Sequence, residues 1–206
     1  MSKSQLINRY TASERSNHWA VAITFILLAL SGLAFFHPAF FFLTNLFGGG
    51  VWTRILHPFI GVLMSVLFVY MALGFAPHNR ITDADREWMS RIKDVVLNKD
   101  DNLPAVGKYN AGQKYFFWTL VVCILLLFVT GIIIWQPYFA SSLPVTLLRL
   151  GVLLHALAAF VSIAAIIVHI YAAIWVKGSV GAMTRGVVSK AWAKHHHAAW
   201  YKEITK

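Results

Sequence analysis

Six of the nine histidines lie in stretches of sequence that contain no Asp, Glu, Lys or Arg, and four of these six fall inside the apolar runs themselves. These four are His18, His57, His155 and His169. An ionisable side chain inside a long apolar segment is expensive to bury, and such residues usually mark a ligand, a proton path or a cofactor. The competing explanation is a structural histidine that is hydrogen-bonded to a neighbouring helix. A regular arrangement of all four favours the functional interpretation.

The charge-free stretches are long enough to cross a lipid bilayer, because each exceeds the roughly 20 apolar residues that a membrane helix needs. In the chain of 206 residues, 58% are hydrophobic and only 13% are charged. We therefore predict an all-α integral membrane four-helix bundle, a single domain over residues 1–206 and not a soluble globule. The predicted elements are spans at about 17–36, 53–75, 114–135 and 148–175, a loop at 76–113 and a tail at 176–206.

Basic residues fall on one side of this arrangement. Three of the 18 Lys and Arg lie in the N-terminal arm, seven between Arg80 and Lys114, six in the tail, and only Arg54 and Arg149 elsewhere. Because Lys and Arg concentrate in cytoplasmic loops, both termini and the loop are predicted to be cytoplasmic. The net charge of +10 then reflects topology, and we expect no nucleic-acid partner.

The loop is predicted to contain a short amphipathic helix. Trp88, Ile92 and Val95/Val96 recur there at helical spacing. Such a helix could lie on the membrane or against a partner. A solvated surface helix is an equally good interpretation.

The topology places the histidines in two pairs at matching depths. His155 and His169 are 14 residues apart on one span, which is about 21 Å along the helix and within about 40° of one face. The second span begins at the outer side, so His57 lies near the outer surface, at the depth of His155. The first span begins at the cytoplasmic side, so His18 lies near that surface, at the depth of His169. Facing imidazoles in a helical bundle suit a six-coordinate b-type haem. We predict two haem b groups, held by His57 with His155 and by His18 with His169.

Other metal chemistry suits these positions less well. A zinc site usually has three or four ligands, and no Cys, Asp or Glu lies at those depths. The single Cys123 excludes both a disulfide framework and the Cys-x-x-Cys-His attachment of c-type haem. The run His195–His197 is expected to make a surface or subunit contact, although it could bind a metal, and the roles of His37 and His78 stay open.

Five segments of the chain, in order, resemble one known family. They are Arg54-Ile-Leu-His57-Pro-Phe, Gly107-Lys-Tyr-Asn110-Ala-Gly-Gln113-Lys, Gly131-Ile-Ile-Ile-Trp-Gln-Pro-Tyr-Phe139, Trp175-Val-Lys-Gly178 and Trp192-Ala-Lys-His-His. The likeness covers almost the whole chain and is to the gamma subunit of membrane-bound respiratory formate dehydrogenase. Two departures are Gln136, where that family more often has Arg, and Ala198-Ala199, where it has Pro-Arg.

The resemblance implies a di-haem cytochrome b in a bacterial inner membrane, with the four histidines above as axial ligands. Such a subunit passes electrons from an iron–sulfur beta subunit to a quinone, either menaquinone or ubiquinone, with protons drawn from the cytoplasm. It is the quinone-reducing part of the complex. Formate oxidation would belong to the alpha subunit, since this chain has no ligand set for molybdenum or iron–sulfur clusters.

The segment Asn110-Ala-Gly-Gln113 has two interpretations from the residues alone. Asn110 and Gln113 carry amide donors and acceptors suited to a quinone carbonyl, and Gly112 lets the backbone approach a ligand closely. The same residues equally suit a cap at the start of the third span. The resemblance favours the first interpretation, because in that family this block and the residue matching His169 contact the quinone.

Two rival functions remain open at this point. One is a cytochrome b subunit of another dehydrogenase, such as a nickel–iron hydrogenase, which the partner subunits would reveal. The other is a small transporter that uses its membrane histidines as a proton relay. That protein would contain no haem.

Overall fold

The structure, a computed structural model, describes residues 5–97, 99, 103–136 and 138–206. Pro137, which falls in the third of the five resemblance segments, lies outside the described residues. The elements are, in chain order, β1 Leu6–Asn8, α1 Ala12–Phe36, α2 Gly50–Phe75, α3 Asp83–Ser90, α4 Ile92–Val96, α5 Ala111–Ile133, α6 Val145–Trp175, α7 Ser179–Arg185, β2 Val187–Ser189, α8 Lys190–His196 and α9 Ala198–Ile204. Short 3₁₀ helices at Pro38–Phe47, Ala76–Asn79 and Ala140–Ser142 lie in the connections.

The predicted all-α membrane fold is confirmed, because α1, α2, α5 and α6 are each long and apolar enough to cross a membrane. Each of these helices begins a few residues before the predicted span. At α1 the early start is explained by two hydrogen bonds at the helix N-terminus. The Thr11 backbone N–H donates to the Glu14 carboxylate at 2.7 Å, and the Glu14 N–H donates to the Thr11 hydroxyl at 3.2 Å. This capping box makes a polar first turn helical before the apolar stretch begins.

The described residues form two compact units. The first, called here the tail unit, comprises the residues up to Arg15 together with Leu73–Trp118 and His169–Lys206. The second, called here the helix unit, comprises Ser16–Ala72 and Thr119–Val168. Whether the chain behaves as the single domain predicted above stays a prediction.

The tail unit contains a two-stranded antiparallel sheet that the sequence analysis did not predict. Strand β1 pairs with β2 in the register that sets Leu6 opposite Ser189. The backbone N–H of Arg9 extends this contact by donating to the Gly186 carbonyl at 2.8 Å. A small apolar core in this unit comprises four buried residues, which are Ala182, Val188 of β2, Ala193 and Trp200.

The helix predicted in the loop is present but divided. It forms α3 and α4, separated at Arg91. Trp88 is buried, whereas Ile92 and Val96 are exposed. The expected apolar residues are therefore not buried together, because Trp88 packs beside Gly112 whereas Ile92 and Val96 of α4 stay exposed.

A buried ion pair in the tail unit joins this loop to the start of α5. The Lys114 ammonium donates to a carboxylate oxygen of Asp85 at 2.7 Å and to the Arg80 carbonyl at 3.0 Å. Asp85 also accepts hydrogen bonds from the Thr82 N–H and hydroxyl. Burial alone would raise the pKa of Asp85, but these bonds and the Lys114 charge together hold it below the usual 3.8.

Asp85→Asn should destabilise the tail unit by about 3 kcal/mol, because it leaves the buried Lys114 charge without a counter-charge. The pKa of Asp85 is lowered on folding from 3.8, so the pair contributes stability above that pH and loses it as the pH falls further. Thermal unfolding in detergent, followed by circular dichroism between pH 3 and 7, measures both effects. Arg86→Gln is the matched control, because it breaks only an exposed pair with Asp83. Equal losses in the two variants would contradict the assignment.

Candidate haem-binding site

The helix unit brings two of the predicted ligands together. His57 on α2 and His155 on α6 have ring centroids 6.3 Å apart, with their planes inclined at 60°. Two imidazole nitrogens that share one metal ion at about 2 Å each place their ring centroids about 6 Å apart. The separation therefore fits a metal held between two imidazoles.

A hydroxyl group orients each of these imidazoles. The Ser31 oxygen lies 2.7 Å from Nδ1 of His57, and the Thr130 oxygen lies 2.9 Å from Nδ1 of His155. Each hydroxyl donates its own hydrogen to a backbone carbonyl one turn earlier in its helix, at Leu27 and Leu126 respectively. When the hydroxyls donate in this way, their oxygens accept from the rings, and both imidazoles then carry their proton on Nδ1. Nε2 of each ring keeps the lone pair that can bind a metal.

A glycine follows each of the two hydroxyl residues. A Cβ atom on Gly32 would lie 3.6 Å from Cε1 of His57, and one on Gly131 would lie 3.5 Å from Cε1 of His155. A Cβ atom would thus already be in van der Waals contact with the ring edge next to Nε2, and glycine leaves that edge uncovered. The sequence analysis missed these pairs, although Ser31-Gly32 and Thr130-Gly131 are a repeated signal, a hydroxyl residue followed by glycine in an apolar span.

The other predicted ligand pair is divided between the two units. His18 on α1 belongs to the helix unit, where its ring meets the edge of Trp19 at a centroid distance of 5.3 Å. His169 on α6 belongs to the tail unit, where it stacks on Phe116 with centroids 4.6 Å apart and planes 5° from parallel. Both side chains are half-buried. Their pairing stays a prediction.

The predicted quinone segment forms the cap of α5. The Asn110 N–H donates to Oε1 of Gln113 at 3.0 Å, and the Gln113 N–H donates to Oδ1 of Asn110 at 2.9 Å. The capping interpretation is therefore correct, and it uses only the oxygens of the two side-chain amides. The NH₂ groups are not needed for the cap, so capping and ligand binding are compatible. Gly112 is half-buried beside the Trp88 ring, and the tail unit holds all of these residues and His169.

The remaining histidines have structural roles where the contacts define them. His37 caps the Pro38–Phe47 helix, its Nδ1 accepting from the Ala39 N–H at 3.2 Å. His78 is exposed near the Tyr109 ring. In residues 5–97, 99, 103–136 and 138–206, no group of three or more His, Cys, Asp or Glu could hold a metal ion.

His197 departs from the expectation of a surface contact, because it is buried inside the tail unit. Its Nδ1 lies 2.7 Å from the Gly107 carbonyl. Burial, with a contribution from the Arg9 charge, lowers the pKa of His197 to about 3. The side chain is therefore neutral at physiological pH and connects the tail to the loop.

Comparison with known proteins identifies the family. The family model for prokaryotic cytochrome b561 matches residues 9–186. The chain is 46% identical to the nitrate-inducible formate dehydrogenase cytochrome b556(Fdn) subunit of Escherichia coli strain K12, over 100% of this chain and 95% of that protein. It is 45% identical to the formate dehydrogenase cytochrome b556(fdo) subunit of the same strain, over 100% and 97%.

A more distant relative is the formate dehydrogenase cytochrome b556 subunit of Haemophilus influenzae, which is 40% identical over 98% of this chain and 87% of that protein. These matches confirm the resemblance that the five sequence segments carried. The chain belongs to the prokaryotic cytochrome b561 family, whose members hold haem b, and its relatives in these comparisons are formate dehydrogenase cytochrome b556 subunits.

Proposed function

We propose that this chain is the di-haem b electron-transfer subunit of a respiratory formate dehydrogenase in the bacterial inner membrane. It passes electrons from the iron–sulfur beta subunit to a quinone. The alpha subunit oxidises formate. The observation that carries the proposal is the His57 and His155 pair, whose spacing and hydroxyl partners at Nδ1 would suit the two imidazoles to hold one iron. The names of the relatives support the formate dehydrogenase complex.

The haem between His57 and His155 supplies a one-electron redox centre when bound. The protein's own contribution is to hold both rings in one tautomer and one orientation. Ser31 and Thr130 do this through Nδ1, since a ligating imidazole is oriented and made more basic by the acceptor on its other nitrogen. Each acceptor is in turn held in place by a carbonyl of its own helix.

The second haem in this proposal is held by His18 and His169. Its support is the continuity of α6, which runs unbroken over Val145–Trp175 and includes both His155 and His169. Fourteen residues of continuous α-helix separate the two ligands by about 21 Å. One helix thus supplies a ligand near each membrane surface, with both termini of the chain in the cytoplasm.

The quinone site in this proposal comprises Asn110, Gly112, Gln113 and His169. The NH₂ donors of the two amides, which the cap does not use, suit a quinone carbonyl, and Phe116, stacked on His169, offers an aromatic surface to the quinone ring. Reduction of a quinone to a quinol consumes two electrons and two protons. The cytoplasmic position of the loop would supply those protons from that side.

Loss of single ligands tests the haem assignment. His155→Ala should leave one haem per chain and remove the outer one, and His169→Ala should remove the inner one, because each variant lacks one of the two imidazoles that would hold that haem. Reduced-minus-oxidised spectra of the purified complex, with haem quantified per polypeptide, measure this. His37→Ala is the control and should keep both haems. Two haems with unchanged spectra in both ligand variants would overturn the assignment.

Ser31→Ala should keep the outer haem bound but raise its midpoint potential. Without the hydroxyl acceptor the His57 imidazole is less basic and stabilises ferric iron less, and the affinity for the group should fall about 10–100-fold. A redox titration of the complex followed by absorbance measures the potential. Ser162→Ala removes a buried hydroxyl that bonds only the Ala158 carbonyl in the contacts described and is the matched control. Identical potentials in Ser31→Ala and wild type would contradict the orienting role.

The double variant Asn110→Asp with Gln113→Glu separates capping from quinone binding. Both replacements keep the side-chain oxygens that cap α5, but they convert the NH₂ donors into carboxylate oxygens. Quinone reduction should fall about tenfold or more, since an unmade hydrogen bond to a buried acceptor has this effect. Formate should still reduce both haems. Thr11→Asp, which adds an acid at the cap of α1, is the control, and normal turnover in the double variant would place the quinone elsewhere.

A further inference from the structure

Arg9 is a buried cation in the tail unit. Only 6% of the residue is exposed. Its Nη2 donates to the Lys108 carbonyl at 2.6 Å and lies 3.3 Å from Nε2 of His197. Its Nη1 is buried and has no hydrogen-bond acceptor among the described residues.

The neighbours of Arg9 do not neutralise its charge. His197 uses its Nδ1–H on the Gly107 carbonyl, so its Nε2 is a neutral acceptor for the guanidinium. Throughout the described part of the chain, no carboxylate lies within ion-pair distance of Arg9 or Lys108. The acid whose charge acts on Lys108 is Glu14, but the Glu14 carboxylate already accepts hydrogen bonds from the Thr11 N–H and hydroxyl. A buried charge in this position is unfavourable unless something else balances it.

Four aromatic rings surround the guanidinium. Its Cζ lies 4.8 Å from the Trp200 centroid, 5.1 Å from Trp192, 5.6 Å from Tyr10 and 5.9 Å from Tyr109. Cation–π attraction offsets part of the burial of the charge. It provides no acceptor in the plane of the guanidinium, where Nη1 points its hydrogens.

A second donor, Nε1 of Trp192, and a second cation, Lys108, belong to or lie against the same aromatic rings. Nε1 of Trp192 is buried and has no acceptor among the described residues. The Lys108 ammonium lies 5.5 Å from the Tyr10 centroid and 5.9 Å from that of Tyr109. Burial and the Arg9 charge lower the pKa of Lys108, against an opposing effect of Glu14. The charges of Arg9 and Lys108 therefore repel each other, and both cations lie against the Tyr10 and Tyr109 rings.

Burial also keeps the Tyr109 hydroxyl protonated. Burial, followed by the influence of Tyr10, raises the pKa of this group above its usual range. The Tyr10 phenol lies close enough to raise this pKa, but among the described residues the Tyr109 hydroxyl has no hydrogen-bond partner of good geometry. It is one more polar hydrogen available to an acceptor.

We propose that Arg9 Nη1 and Trp192 Nε1 bind an oxyanion of the phosphate class, beside Lys108 and Tyr109. The unused groups are donors and cations, which a neutral water molecule would hydrogen-bond but not neutralise. A phosphate group carries several strong acceptor oxygens and enough negative charge to face two cations. Its source is either a phospholipid headgroup or free phosphate. The inference is independent of the haem and quinone assignments.

The test uses the purified, delipidated complex and two probes, inorganic phosphate and the water-soluble dihexanoyl phosphatidylglycerol. Each probe is titrated while the thermal midpoint is recorded, since a ligand of the folded state raises it by mass action. Stabilisation by inorganic phosphate identifies free phosphate. Stabilisation by the lipid alone identifies a headgroup.

Trp192→Phe keeps an aromatic wall and removes only the indole N–H, so it should weaken the effective probe about tenfold. Arg9→Gln should abolish its effect. Trp175→Phe, which removes an indole N–H from an exposed ring on α6, is the matched control and should bind as wild type. No stabilisation by either probe, or equal stabilisation of Trp192→Phe and wild type, would overturn the proposal. Release of a partner subunit from Arg9→Gln, with no probe bound by wild type, would identify a partner carboxylate and also overturn it.

Discussion

The site depends on how an imidazole N–H is satisfied inside an apolar helix. The backbone of a membrane helix uses its own N–H and C=O groups internally, so it has little to offer a side chain from another helix. A Ser or Thr hydroxyl solves this problem, because it can donate to a carbonyl of its own helix and accept from the ring at the same time. Ser31 and Thr130 are both placed to do so, each between a carbonyl of its own helix and a histidine Nδ1. The tautomer of each histidine, and so the direction of its free lone pair, follows from that single arrangement.

This constraint also explains the glycines next to the hydroxyls. A hydroxyl side chain is short, so a helix that offers one to an imidazole must approach the ring closely. Gly32 and Gly131 stand where a larger residue would lie against Cε1 of the ring, beside Nε2. The same glycine therefore allows the two helices to approach closely and leaves the imidazole edge beside Nε2 uncovered. The repetition of this pair gives the two proposed ligands, His57 and His155, similar surroundings.

The sequence predicted the parts of this protein that have long-range regularity. The four spans follow from runs of apolar residues, and the four histidines stand out because ionisable groups are rare in such runs. The strands β1 and β2 have three residues each, too few for an alternating pattern to be visible. His197 appeared to be a surface residue of a basic tail, since only the fold shows that the Gly107 carbonyl and Arg9 lie beside it.

The hydroxyl partners were missed for a different reason. Serine and threonine are common in membrane helices, where they usually bond their own backbone, as Ser65 and Ser162 do. Nothing local distinguishes Ser31 from these residues except the glycine that follows it. The role of Ser31 is defined by His57, which lies on another helix and 26 residues further along the chain.

The start of α5 shows how one residue can serve structure and chemistry together. A helix N-terminus needs acceptors for its first N–H groups, and an amide side chain supplies one through its oxygen. The same amide has a nitrogen that the cap does not use. Asn110 and Gln113 cap each other reciprocally, so their oxygens are held in place and their NH₂ groups are held with them. Capping therefore does not compete with the proposed quinone binding at this position, because it holds in place the amides whose NH₂ groups that proposal uses.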